Sequence, residues 1–183
     1  MGNIMDYIEW RGDLPFTQSE FNDVDNLILA CFSYVNLDGI QEAASQNGIE
    51  LKALTEKFLQ LHTEKELKED KSFIRFAPFM MLEMAKTERF GQCVIRNYVN
   101  EIVAEEAQQF SAVEICLSDG TSYISFRGTD DTIVGWEEDL NMGFLEEIPS
   151  QKQAVEYVAR VARQYGDKTI RIGGHSKGGN LAG

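Results

Sequence analysis

The chain has 183 residues, 43% of them hydrophobic, enough for one respectable core, so a single domain spanning 1–183 is the expectation. A net charge of −13 argues against nucleic acid or an anionic membrane surface as a partner, and favours a substrate that is neutral or cationic, or one that is shielded locally. Charges at Asp6, Glu9, Arg11 and Asp13 break up the opening stretch MGNIMDYIEWRGDL, which does not read as a signal peptide. No later run has the length of a membrane span, so stable membrane insertion is not expected. Cys31, Cys93 and Cys116 are odd in number, widely spaced and without metal-ligand rhythm. They read as free thiols of a reducing, cytoplasmic environment.

Residues 1–90 read as mainly helical. Val24, Leu27, Ile28, Cys31, Phe32 and Val35 recur at helical spacing, as do Leu51, Leu54, Phe58 and Leu61. A third helix is predicted from Pro78 to about Phe90, with Met80 and Met84 as core filler. Between helices, TEKELKEDK (63–71) reads as a solvated charge run.

Residues 91–183 read as strand-rich with a crossover helix. FSAVEICLS and TSYISF alternate apolar and polar residues on either side of Asp119-Gly120, which predicts a two-residue hairpin. SQKQAVEYVARVARQYG then predicts a helix with a capping box from Ser150 and Gln153, an apolar stripe through Ala154, Val158, Val161, Ala162 and Tyr165, and a stop at Gly166. A buried strand over 168–174 follows.

IRIGGHSKGGNLAG (170–183) next reads as strand, glycine-rich turn and helix start. Gly174-His175-Ser176-Lys177-Gly178 fits G-x-S-x-G, the nucleophile elbow of serine hydrolases. A serine on such a turn is held in strained geometry with its hydroxyl exposed, and its neighbours must be small where strand and helix nearly touch. The helix that follows aims free N–H groups at a developing oxyanion. Strand, helix, strand implies a parallel pair with a right-handed crossover, so the loop beginning at Arg127 should lie beside Ser176.

That loop reads SFRGTDDTIVGWEEDL. Arg127 and Asp139 could form an ion pair that braces the loop, or serve the chemistry. Asp130 and Asp131 read as turn or cap residues, and Glu137-Glu138-Asp139 has no accompanying histidine, so no metal site is expected. Serine precedes lysine in the elbow, the reverse of the order that a phosphate-binding loop requires.

Phe-Arg-Gly-Thr followed by Trp136-x-x-Asp139-Leu140, together with GHSxGG, resembles the fungal-type or class 3 lipases, which are α/β-hydrolases. More closely, WRGDLPF, EFNDVDNLILACFSYV, QFSAVEI, FRGTDDTIVGWEEDLNM and GHSKGGNLA are similar to the Mbeg-like family of bacterial lipase-like proteins. The resemblance implies a partial α/β-hydrolase fold that ends at the elbow Gly174, His175, Gly178. It implies Ser176 as nucleophile, with Thr129 and the backbone N–H of Lys177 as oxyanion-hole donors. A small-molecule or lipid ester would be the substrate, and no cofactor would be needed.

A serine needs a base. Only His62 and His175 are present; His175 is expected to point under the sheet and His62 to be a solvated helix-face residue. In α/β-hydrolases the acid and the histidine follow the serine. The 183 residues are therefore expected to be the N-terminal portion of a longer protein, with an unpaired sheet edge that another copy could cover. The alternative is an inactive α/β-hydrolase-fold binding or scaffold protein.

Overall fold

The computed structural model describes residues 2–69, 74–103, 108–129 and 148–183. Five strands form one sheet in the order β1-β2-β3-β4-β5: β1 (Ile49–Glu50), β2 (Val94–Val103), β3 (Gln108–Cys116), β4 (Ser122–Phe126) and β5 (Ile170–Gly174). The first four pair antiparallel and β4 pairs β5 parallel, so the sheet is mixed and the class is α/β. Strand alternation divides the core in two. Val113, Ile115 and Tyr123 face a helical layer made by α1 (Ile4–Arg11), α2 (Asp23–Phe32), α4 (Leu51–Leu61) and α6 (Ala77–Met84). Phe110, Ala112, Ile124 and Phe126 face α7 (Pro149–Tyr165), which buries Ala154, Tyr157 and Val161 against them. Short helices α3 (Gln41–Ala44) and α5 (Glu64–Glu69) connect the first layer, and α8 (Lys177–Ala182) closes the described chain. No described helix is long and apolar enough to cross a membrane.

Several expectations shift locally. The hairpin turn has one positive φ, at Gly120 (81°), not two. Gly120 N–H donates to Leu117 O and Leu117 N–H to Thr121 O, a three-residue loop that ends in a left-handed glycine. The reason is local: Asp119 turns its carboxylate onto Thr121 N–H (2.9 Å) and hydroxyl (2.6 Å). Helix α7 starts at Pro149, and Gln151, not Gln153, accepts from the preceding Ile148 N–H (2.9 Å). The third helix stops at Met84, and turns carry the chain on to β2. Within the charge run, Glu64–Glu69 forms a helix because Leu67 buries into the core and Glu66 accepts from Thr63 N–H (2.7 Å). The α2 stripe buries Ile28, Cys31 and Phe32, but leaves Val24 and Leu27 partly exposed beside Trp10.

Two buried charge clusters hold the layers in place. Arg89 and Asp25 are both 0% exposed and meet in a bidentate pair, Nε to Oδ1 (2.8 Å) and Nη2 to Oδ2 (2.6 Å). The other guanidinium donors reach Leu14 O, Ser19 O and Glu20 O, and the group lies 4.1 Å over the Phe16 ring. One arginine thus uses its fixed fork of N–H groups to fasten residues 14–25. On the other face, β2 carries a bulge at Asn97 (φ 54°), where two residues oppose one. Glu114, fully buried, there accepts from Arg96 (3.0 and 3.1 Å), Asn97 (2.6 Å) and Ser122 (2.8 Å). Burial alone would push this carboxyl up. Hydrogen bonds from Arg96, Tyr165, Asn97 and Ser122 outweigh that and hold it below its ordinary value.

Asp25→Ala leaves Arg89 buried and unpaired and should cost about 3–5 kcal/mol in urea unfolding; a loss below about 1 kcal/mol would contradict the fastening role. Because the Glu114 carboxyl is depressed in the folded state, its contribution is present above the unfolded value of about 4.3 and fades as pH falls below it. Glu114→Gln should therefore lie well below wild type in stability at pH 7, with the gap narrowing as pH drops under about 4. A gap that stays constant from pH 7 to pH 3 would show that ionisation of Glu114 is not what stabilises the cluster.

Candidate functional site

The parallel pairing of β4 and β5 is in register through Phe126↔Gly174, so both strands end level at one edge of the sheet. Arg127-Gly128-Thr129 leaves β4 there, and His175-Ser176 leaves β5. Arg127 N–H adds one more rung, to Ser111 O (3.0 Å), before the loop departs. The two loops touch. A Cβ built on Gly128 would lie 2.5 Å from His175 O and 3.1 Å from Ser176 Cβ, and would run into the Tyr34 hydroxyl. Only glycine allows that approach.

Ser176 adopts φ 57°, ψ −127°, left-handed backbone that an L-residue rarely takes, and it is solvent-exposed between β5 and α8. Glycines at the flanking positions are explained by contact. A Cβ on Gly178 would overlap the Phe126 carbonyl oxygen, and one on Gly174 would overlap Gly178's own backbone and approach the Phe126 oxygen to 2.7 Å. Gly178 N–H donates to His175 O (3.0 Å) and Gly179 N–H to Ser176 O (2.9 Å), which starts the helix directly behind the serine.

Thr129 and Lys177 are both buried, 5% and 4% exposed. The Lys177 side chain passes inward, and Nζ donates to Gln109 O on β3 (2.9 Å), tying the elbow to a third strand. Arg127 is 9% exposed and donates through Nη2 to Asn100 Oδ1 on β2 (2.6 Å). Its expected partner Asp139 lies outside the described residues, as do Asp130, Asp131, Trp136, Glu137, Glu138 and Leu140.

His175 leaves β5 toward the helical layer that holds α2, where Nδ1 sits 3.1 Å from the Tyr34 hydroxyl and the rings meet edge to face at 71°. The expectation for His62 needs correction. It is the half-buried C-cap of α4, its ring centroid lies 4.5 Å from that of Phe58 one turn earlier, and its Nε2 is buried with no hydrogen bond. Packing on an aromatic neighbour at i−4 takes the imidazole off the solvated face. It lines a cavity of about 360 Å³ with Asn36, Glu66 and Pro78. Among the described residues neither imidazole is hydrogen-bonded to Ser176, and no group of three or more His, Cys, Asp or Glu side chains is placed to hold a metal ion.

Sequence reasoning did not find Tyr34 or Asn100. Both reach the site only through tertiary contacts, and neither sits in a recognisable motif.

The molecule is thus a mixed α/β protein with a strained serine on a strand–turn–helix at the end of parallel strands. The family model described as Mbeg1-like matches residues 84–183, more than half of the chain, and the protein belongs to that family. No curated protein and no solved structure matches it.

Strain at Ser176 gives a direct test of the turn. Ser176→Gly should be more stable than Ser176→Ala by about 1–2 kcal/mol in thermal or urea unfolding, because glycine alone accepts φ 57°, ψ −127° freely. Equal stabilities, or a more stable alanine variant, would mean that the turn is relaxed in solution.

Proposed function

We propose that this protein is a serine hydrolase of the lipase or esterase kind, built on the α/β-hydrolase plan, which cleaves carboxylic esters. The observation that carries the reading is the backbone of Ser176, a non-glycine residue held at positive φ and exposed at the strand edge against the Arg127–Thr129 loop. Strain of this kind persists where surrounding structure over-determines it, which is where nucleophiles are presented.

In the proposed reaction the Ser176 hydroxyl oxygen attacks the acyl carbon and loses its proton to a base. The C–O bond to the alcohol then breaks, and the alcohol leaves with that proton. Water repeats the sequence on the acyl-serine and releases the acid. Charge on the former carbonyl oxygen is met by N–H donors from Thr129 and Lys177, which stand on the two loops that converge at Gly128. Arg127, through Asn100, and Lys177, through Gln109 O, support those loops from β2 and β3. The base that takes this proton is neither His175, which is engaged by Tyr34, nor His62, which is packed on Phe58. No cofactor enters this chemistry.

The gene-encoded protein should be labelled at Ser176 by a fluorophosphonate probe, as read by peptide mass spectrometry, and Ser176→Ala should abolish labelling while keeping the wild-type circular dichroism spectrum. Label persisting in the variant would place the reactive group elsewhere. A folded wild-type protein that takes no label would favour a hydrolase-like fold used for binding.

A further inference from the structure

Tyr34 stands just past the end of α2, is 5% exposed, and is separated by 141 positions from the histidine that it contacts. A buried phenol keeps its hydroxyl satisfied, and this one meets His175 Nδ1 at 3.1 Å. With the phenol donating, Nδ1 is the acceptor and the imidazole proton sits on Nε2. The same hydroxyl fills the space in front of Gly128 that His175 O and Ser176 Cβ also border. Three parts of the chain therefore meet at one point: the N-terminal helical layer, the loop after β4, and the elbow after β5.

Four residues later the same segment is tied down again. Asp38 accepts from Asn100 Nδ2 (2.8 Å) and from the Tyr98 hydroxyl (3.2 Å), and Asn100 Oδ1 accepts from Arg127 (2.6 Å). Residues 34–38 thus grip the residue before Ser176 at one end. At the other end, through Asn100, they grip the residue before Gly128.

We propose that Tyr34 is a positioning residue of the Ser176 site: its hydrogen bond to His175 sets the elbow against Gly128, and so sets Ser176 relative to the Thr129 loop. This rests on the hydrolase reading. Tyr34 acts through His175 and touches no reacting atom, so its effect is on how fast a bound acyl or phosphonyl group is attacked. An error of about 1 Å in such a placement can cost about 10²-fold in rate.

The test uses the gene-encoded protein and a fluorophosphonate probe, with the maximal inactivation rate and the half-saturating probe concentration measured separately. Tyr34→Phe should lower the rate about tenfold or more, leave half-saturation within about twofold, and keep the wild-type Tm. His175→Ala should do the same, and the double variant should be no slower than either single one. His175→Asn, which keeps a polar atom near the place of Nδ1, should recover most of the rate. If Tyr34→Phe fails to fold, the Ala and Asn variants of His175 carry the test: equal rates in those two overturn the proposal. So does an unchanged rate in Tyr34→Phe, or losses that multiply in the double variant. Wild-type protein that is not labelled at Ser176 defeats the hydrolase reading itself, an outcome distinct from labelling that does not depend on Tyr34.

Discussion

Backbone-to-backbone contact between Gly178 and Phe126 is the constraint around which the candidate site is arranged. The first turn of α8 can sit directly on the end of β4 only because Gly178 has no side chain to meet the Phe126 carbonyl. That closeness, with Gly174 beneath it, leaves too little room for a relaxed turn, and Ser176 takes the strained conformation that exposes it. In-register pairing of β4 with β5 then brings Gly128 against His175 and Ser176. Strain at the serine and exposure of its side chain follow from that steric fact, and proximity of the Thr129 loop follows from the strand pairing.

The helical first half is more than a cover for the sheet. Through Arg89, Asp25 pins the start of α2 to residues 14–20. The far end of α2 delivers Tyr34 and Asp38 to the strand edge. Between these ends, Ser125 on β4 donates to Leu29 O (2.7 Å) and Tyr123 donates to Asn26 Oδ1 (2.8 Å), so α2 is fastened along its length to the strand that leads into the candidate site. Gly173 on β5 is small because the Tyr123 hydroxyl occupies the place of its side chain. A rigid element that touches both β4 and β5 fixes their relative position, which the reading of the site requires.

Much of this was legible in the sequence, and what was legible shares one property: it is local. G-x-S-x-G between an apolar run and a helix start specified a strand–turn–helix, and strand–helix–strand order specified the parallel pair. Turn and cap depart from the sequence pattern where two local preferences compete. Asp119-Gly120 fits a two-residue hairpin, but the Asp119 side chain bonds Thr121 and stabilises the longer loop. Ser150 resembles a cap, but Pro149 is already the first helical residue. His62 looked like a surface residue because a helical repeat cannot show that its neighbour Phe58 would take the ring. Tyr34, Asn100 and the Asp25–Arg89 pair had no signature at all, since each gains its meaning from a partner 27 to 141 positions away.

Ser176 is proposed as a nucleophile whose oxyanion donors stand on Thr129 and Lys177. The most direct test of this proposal is the structure of the gene-encoded protein after reaction with a small organophosphonate ester. The expected product has a phosphorus–oxygen bond to Ser176 Oγ, with the phosphonyl oxygen about 3 Å from both the Thr129 and Lys177 backbone nitrogens. An adduct on another residue, or one on Ser176 whose phosphonyl oxygen faces away from Thr129, would contradict the proposal.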